Sequence, residues 1–251
     1  MAKWSENQRR RGADYFRQAI QADPGFAPAY AALSYYYSIT QATPAAEALP
    51  RAKQFALKAL ELDPHLPASH EAVARFRMSE WDWVGAEEAF RSTLELEPGH
   101  ATARRQYALL LSILGRHQEA LALIQRMKES DPLNTEAYGF AAEVYYFARN
   151  LDRAIDEGRA ALLLDENNVF LHADLGLHYA TAKRYAESVA SWERALALAG
   201  RDPWLLCLLA HSLARQGRVD EARKIQREVV EAARRTHVSP LFLAMIHFGL
   251  G

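Results

Sequence analysis

Cys207 and His211 are the two residues of this 251-residue sequence whose types and spacing come nearest to chemistry. Four positions apart on a helix, a thiol and an imidazole face the same way, which is how a nucleophile is set beside its base. A working pair also needs a third group to orient the base, and none is evident. Metal chemistry has less to draw on. The nine histidines include no i, i+4 pair and no His-Glu-x-x-His, and Cys207 is the single cysteine, so zinc finds no ligand set. Glycine is sparse and confined to turns, so no phosphate-binding loop is formed. No catalytic residue, cofactor or metal is expected, and the chain reads as a non-enzyme. The run Trp81-Asp82-Trp83-Val84-Gly85 has the look of an aromatic box but flanks a turn, which it is expected to pack.

Charge narrows the partners. Thirty basic residues against 31 acidic ones give a net charge of −1, without the broad positive footprint that nucleic-acid binding requires. One cysteine rules out an intramolecular disulfide and fits a reducing compartment. The opening Met1-Ala2-Lys3-Trp4-Ser5 and the polar, basic residues after it carry no apolar core of a leader, and no run of about 18 apolar residues occurs. No membrane contact is expected, and the cytoplasm is the expected location.

The elements that position these residues follow from a 34-residue step. Small residues recur along it at Ala74, Ala108, Ala142, Gly176, Ala210 and Ala244, and again at Ala52, Ala86, Ala120, Ala154, Ser188 and Ala222. Apolar periodicity bounded by turn residues predicts helices at 12–23, 26–40, 51–62, 67–79, 85–96, 101–114 and 117–130. The same rhythm continues at 135–148, 151–164, 169–182, 185–199, 203–216, 219–235 and 239–248. Fourteen helices and no strand result. Pro24 and Pro64 stand 40 residues apart, whereas Pro64, Pro98 and Pro132 are separated by 34. Six extra residues therefore lie near Gln41–Pro50, as a loop or a lengthened helix end.

Within each unit, Gly115 and Gly217 mark the turn between its two helices, because glycine takes the left-handed conformation that ends a helix. Asp63-Pro64, Glu97-Pro98 and Asp131-Pro132 stop the second helix, since proline cannot continue it. Alanine or glycine at the periodic positions lets facing helices approach, and Leu33, Val73, Tyr107, Leu175, Leu209, Phe90, Ile124 and Trp192 fill the space between.

This spacing resembles the tetratricopeptide repeat, whose pattern places a bulky residue, Leu-Gly, Tyr, Ala, Phe and Pro at set positions of a 34-residue helix pair. Residues 169–202 show it best, with His172, Leu175, Gly176 and Tyr179 on the first helix and Trp192 and Ala195 on the second. Ser188 stands where alanine is usual; Ala56 and Gly158 replace the aromatic residue, and Glu166 replaces the proline. The resemblance implies an all-α, right-handed superhelical α-solenoid over residues 1–251. It would hold a lone helix at 12–23, full repeats at 27–66, 67–100, 101–134, 135–168, 169–202 and 203–236, and a half-repeat at 237–251. His70 and His172 hold the bulky position and are expected to be packing residues. More narrowly, the stretches at 15–37, 81–90 and 237–251 resemble repeat regions of bacterial transcriptional regulators, cyclases and Ser/Thr kinases.

In the resembled family the first helices of successive repeats line a concave groove, and side chains near their fifth, ninth and twelfth positions point into it. Carried onto this chain, these are Tyr35, Glu71, Arg75, Met78, Arg105 and Leu109, then Glu143, Tyr146, Asp174, Leu177 and His211, with Phe140 and Phe147 beside them. Tyr35, Met78, Phe140, Tyr146 and Phe147 offer apolar anchors. Arg75 and Arg105, on adjacent repeats, are placed to share one carboxylate. Glu143 and Asp174 give the opposite sign further on. Pairing within the chain, Arg75 with Glu71 or either arginine with Glu143, is the competing use of the same charges. The lysine and asparagine of the carboxylate clamp found in some chaperone cofactors of this family are replaced at the first repeat by Ala31 and Tyr35.

The expected function is a non-enzymatic protein–protein interaction module that holds an extended peptide or a partner helix in this groove. One alternative is a regulatory segment of a larger regulator; a weaker one is a small-ligand receptor or enzyme around Glu143, Tyr146 and His211. The last half-repeat leaves Phe242, Met245, Phe248 and Leu250 short of their usual cover, so self-association through this helix is a further expectation.

Overall fold

A computed structural model describes residues 6–40, 43–233 and 240–250, and within these the side chains of 6, 7, 45, 240–243 and 250 are left aside. The described residues form fourteen α-helices and no strand. The first seven are α1 (Glu6–Ala22), α2 (Ala27–Ile39), α3 (Ala45–Leu62), α4 (Pro67–Ser79), α5 (Trp83–Leu96), α6 (Ala101–Ile113) and α7 (His117–Ser130). They continue as α8 (Thr135–Phe147), α9 (Leu151–Leu164), α10 (Val169–Thr181), α11 (Tyr185–Ala199), α12 (Pro203–Arg215), α13 (Val219–Ala233) and α14 (Pro240–Leu250). Two compact units divide the chain, residues 1–123 and 124–251.

Two turns alternate, and the sequence dictates both. Five of the turns from a first to a second helix, those from α4 to α5 through α12 to α13, pass through one left-handed residue: Trp81, Gly115, Arg149, Lys183 and Gly217, with φ of 63°, 75°, 60°, 59° and 92°. They fall every 34 residues. The amide that follows each reaches back five residues to a carbonyl, as in Asp82 to Arg77 and Arg116 to Leu111; this is the closure that satisfies the carbonyls at a helix end. Glycine supplies the conformation freely at two of the five positions, whereas Trp81, Arg149 and Lys183 adopt it against the steric preference of an L-residue. Trp81 also departs from the packing expected of it. Its ring stands 5.2 Å from that of Trp83, edge to face, yet is 75% exposed.

Five of the opposite turns, those leading into α2, α4, α6, α8 and α10, are tied by a side chain. His70 Nε2 lies 2.8 Å from the Pro64 carbonyl and His172 Nε2 lies 2.9 Å from the Glu166 carbonyl. Because a carbonyl only accepts, Nε2 carries the proton in both rings. Tyr30 and Tyr138 hydroxyls donate to the Pro24 and Pro132 carbonyls in the same way, and the Arg104 guanidinium donates to Pro98. The bulky position thus staples the turn as well as packing it.

In the first unit α2 packs on α1, α3 and α4, and α4 packs on α3 and α5. Tyr37 stacks on Phe55 with ring centroids 5.6 Å apart, in a core with Leu33, Tyr36 and Ala52. Four of the six extra residues lengthen α3, which begins at Ala45 and carries Pro50 inside it, and the other two fall in the connection before it. Glu87 ties the far end of this unit. Its carboxylate accepts from Arg91 at 2.6 Å, Tyr107 at 2.8 Å and Arg116 at 2.6 Å, and these donors hold its pKa below the usual range despite partial burial.

In the second unit the core gathers Val189, Trp192, Leu205, Leu209, Leu213, Ile225 and Val229. α14 packs on α12 and α13, with Ile246 fully buried and Met245 half-buried against that core. Met245 therefore has cover within its own chain, contrary to the expectation that it lies open. Phe248 is 84% exposed, and the side chains of Phe242 and Leu250 lie outside the described residues.

Candidate partner-binding faces

In the first unit the predicted residues gather around Arg75, on α4. Its guanidinium carbon lies 4.7 Å from the centre of the Tyr35 ring, a cation–π contact, and its Nη2 donates to Ser38 Oγ at 3.2 Å. Glu71, one helical turn earlier, stands 3.6 Å from Nη1, beyond hydrogen-bonding length. Only 13% of the Arg75 side chain is exposed. Burial, with the like charge of Arg105, lowers its pKa, against the attraction of Glu71 and Tyr35. The Arg75 Nε and one Glu71 oxygen are buried without a hydrogen-bond partner.

Arg75 and Arg105 do converge, as expected, and what they share is an internal group. With the Gln106 carboxamide oxygen turned toward them, it accepts from Arg75 Nη1 and from Arg105 Nη2, each at 3.0 Å. Gln106 was not legible as part of the site. Its one signal is its place beside Arg105, in register with Phe140 and Asp174 at 34-residue steps. Tyr35 remains 44% exposed, and Met78 and Leu109 are half-buried.

In the second unit α8 carries Phe140, Glu143, Tyr146 and Phe147. The Tyr146 ring stacks on His178 of α10 at 5.1 Å and meets Phe147 edge to face at 5.8 Å. Phe147 is 40% exposed. Asp174 lies one residue past the fifth position of its helix, in the register of Gln106, and keeps a solvent-exposed surface. Crowding by protein around its carboxyl, then the neighbouring Glu143 carboxylate, push its pKa up to about 6. Leu177 is half-buried against the core.

His178, which sequence reasoning did not single out, is 3% exposed. Burial depresses its pKa to about 4 in spite of a hydrogen bond with the Ala154 backbone, and its Nδ1 has no partner. Nothing in the sequence separates it from a surface histidine except its apolar neighbours Leu175, Leu177 and Tyr179.

His211 is held by the last helix. Its Nδ1 lies 3.0 Å from the Met245 carbonyl, so this nitrogen carries the proton. Cys207 is fully buried, and burial followed by Asp202 pushes its thiol up to about 11. A protonated, enclosed thiol beside an imidazole bonded elsewhere is not an activated nucleophile. Among the described residues no group of three His, Cys, Asp or Glu is placed to hold a metal, and no helix is long and apolar enough to cross a membrane.

With this geometry in view, comparison with known proteins gives a consistent picture. Residues 77–143 and 173–235 each match a tetratricopeptide repeat family. The mouse (Mus musculus) interferon-induced protein with tetratricopeptide repeats 2 is 30% identical over 126 residues, 49% of this chain, and this chain spans only 27% of that protein. Among solved structures, that of the Cut9–Hcn1 hetero-tetramer of APC/C aligns over 98% of this chain and 46% of its own, with a TM-score of 0.71 and 16% identity. PilW, a type IV pilus biogenesis factor, aligns over 88% of this chain and 98% of its own, with a TM-score of 0.69 and 15% identity. At such identities the structural likeness establishes the fold. The repeat is in general a protein–protein interaction scaffold rather than an enzyme. Its helix pairs, their 34-residue register and both matched stretches agree: this chain belongs to the tetratricopeptide repeat family.

Proposed function

We propose that this protein is a non-enzymatic interaction module that binds an extended peptide or a partner helix on the faces formed by its first helices. The observation that carries this reading is the set of side chains left half-exposed there. Tyr35, Met78 and Leu109 in one unit, and Tyr146 and Phe147 in the other, stay outside the cores while sitting beside charged groups. Aromatic anchors next to a fixed charge are what a peptide-binding face is built from. The two units carry opposite chemistry. Arg75 and Arg105 favour acidic residues, whereas Glu143 and Asp174 favour basic ones. His211, engaged with α14, is not counted among the binding groups.

Selection from a random peptide library displayed on phage tests this. The intact protein should enrich related sequences. An Arg75→Glu, Arg105→Glu, Tyr146→Ala variant with the same helical content should fail to retain them. Equal retention by both proteins would move binding away from these faces.

A further inference from the structure

We propose that a second copy of this chain docks at the C-terminal end of α4, with Trp81 of each copy seated in a cavity of the other between α3 and α4. The inference goes beyond the interaction-module reading and does not rest on it. Trp81 is the knob. Its backbone holds φ at 63°, against the preference of a bulky L-residue, and its side chain stands 75% exposed. Val84, 72% exposed, continues the apolar surface beside it. Strain and exposure on the same aromatic residue mark a contact that the isolated chain leaves unmade.

The cavity is the hole. Its volume of about 410 Å³ lies at the small end of the roughly 300–1,000 Å³ of ligand sites and suits one large side chain. Ala46, Leu49 and Pro50 on one stripe of α3, with Phe76 of α4, give it apolar walls. Its donors are already engaged. Lys53 Nζ donates to both Glu80 carboxylate oxygens, at 2.7 and 2.9 Å, and lies 5.4 Å from the centre of the Phe76 ring. The Ser79 hydroxyl donates to the Phe76 carbonyl at 2.6 Å. One acceptor is left over: Pro50 has no N–H, so the Ala46 carbonyl four residues earlier lacks the amide that an α-helix supplies. Ala46 and Pro50 both line the cavity, which puts that carbonyl at its wall. An indole matches this inventory, being apolar with an N–H that donates and does not accept.

Knob and hole share one end of α4, because Glu80, which lines the cavity, directly precedes Trp81. That adjacency suits a two-fold contact, in which one patch serves both copies and each receives what it gives. The charges nearby do not oppose it, since Lys53 pairs with Glu80 and Arg77 stands 3.7 Å from Asp82 within each copy.

The test is sedimentation equilibrium of the full chain from micromolar to millimolar concentration, with variants matched to wild type in helical content. Wild type should pass from monomer to dimer. Trp81→Gly, which suits the left-handed turn and so keeps the fold, should remain monomeric. Pro50→Ala returns an amide to the Ala46 carbonyl and should weaken the dimer about tenfold, one hydrogen bond being lost at each of two equivalent contacts. Ala46→Leu fills the cavity from an exposed position and should also stay monomeric.

A mixture separates this exchange from any other association. Trp81→Gly keeps the hole and Ala46→Leu keeps the knob, so one contact forms when the two are combined. In methyl NMR of labelled Trp81→Gly, the Leu49 methyls should move upfield under the indole as unlabelled Ala46→Leu is added. Unmoved Leu49 methyls would overturn the proposal, as would a wild type that is monomeric throughout or a dimer that Trp81→Gly leaves intact. A monomeric wild type whose Leu49 methyls respond to acetyl-Gly-Trp-Gly-amide would overturn it in favour of a foreign tryptophan.

Discussion

The Trp192 indole lies across Gly176 so closely that a Cβ built on the glycine would stand 2.7 Å from Cε2. Its Nε1 donates to Ser188 Oγ at 3.0 Å, and that hydroxyl donates to the Gly176 carbonyl at 2.8 Å. Ser212 Oγ completes the set at 2.9 Å. Serine at position 188, where the family has alanine, is thus the hub that lets a buried tryptophan and a bare helix backbone meet. Gly176→Ala should destabilise the protein by about 1–3 kcal/mol through overpacking, read as a fall in the urea midpoint. An unchanged midpoint would mean that the indole moves aside freely.

Gly115 and Gly217 isolate the cost of the left-handed turn. A Cβ at either would meet nothing within 4 Å, so Gly→Ala there tests φ alone. Each substitution should cost about 1–2 kcal/mol. Lys183→Gly, at φ 59° in the same register, should raise the melting temperature. A melting temperature lowered by Lys183→Gly would contradict this account of the turns.

Acid should act on the second unit through two opposed groups. His178 falls from its ordinary 6.5 to about 4, so between those values the unfolded chain binds the proton and the folded one does not. Its contribution to stability is present at neutral pH and lost as pH falls from 6.5 to 4, about 3 kcal/mol in all. Asp174 rises from 3.8 to about 6, so the folded state holds the extra proton and stability is lost as pH rises from 4 to 6. Asp174 keeps a solvent-exposed surface that screens its shift, so the loss through buried His178 is the larger trend in that window. His178→Phe, which keeps a ring against Tyr146, should lose less stability than wild type between pH 7 and pH 4.5 in urea titrations. Asp174→Asn should gain relative to wild type at pH 7. Parallel pH profiles for wild type and both variants would refute the assignment.

Ala108 and Ala142, each 2% exposed, hold the periodic small position at which first helices approach their neighbours. Leucine at either should cost roughly 1–3 kcal/mol. Thermal melts of the two single variants check this, and wild-type melting would mean that the interface has slack.

Much of this fold is legible in the residues. Proline at 67 and 203 and turn chemistry before Leu151 and Tyr185 start four helices where periodicity predicts them. Two helices run longer than expected for identifiable reasons. α1 begins at Glu6 in a polar stretch with no apolar stripe to reveal it. α3 runs through Pro50, read as the end of an irregular segment; Pro44 as N-cap lets the helix begin earlier. Three of the five left-handed residues were not legible, because Trp81, Arg149 and Lys183 carry no glycine signal and only the 34-residue register exposes them. In the candidate site, spacing brought Arg75 to Arg105. The group between them escaped notice, because a glutamine beside an arginine carries no sign of which way its amide faces. The use of His211 by α14 was hidden for a different reason, since it depends on a helix 34 residues away folding back over it.

The most direct test of the central claim is to find where a selected peptide lies. A phage-selected peptide carrying a photo-crosslinker at successive positions should, on irradiation and mass spectrometry, attach to α4 and α6 in the first unit or α8 and α10 in the second. Attachment near Tyr35, Met78, Leu109, Tyr146 or Phe147 is the predicted result. Crosslinks confined to the second helices of the repeats, α5, α9, α11 and α13, would contradict it.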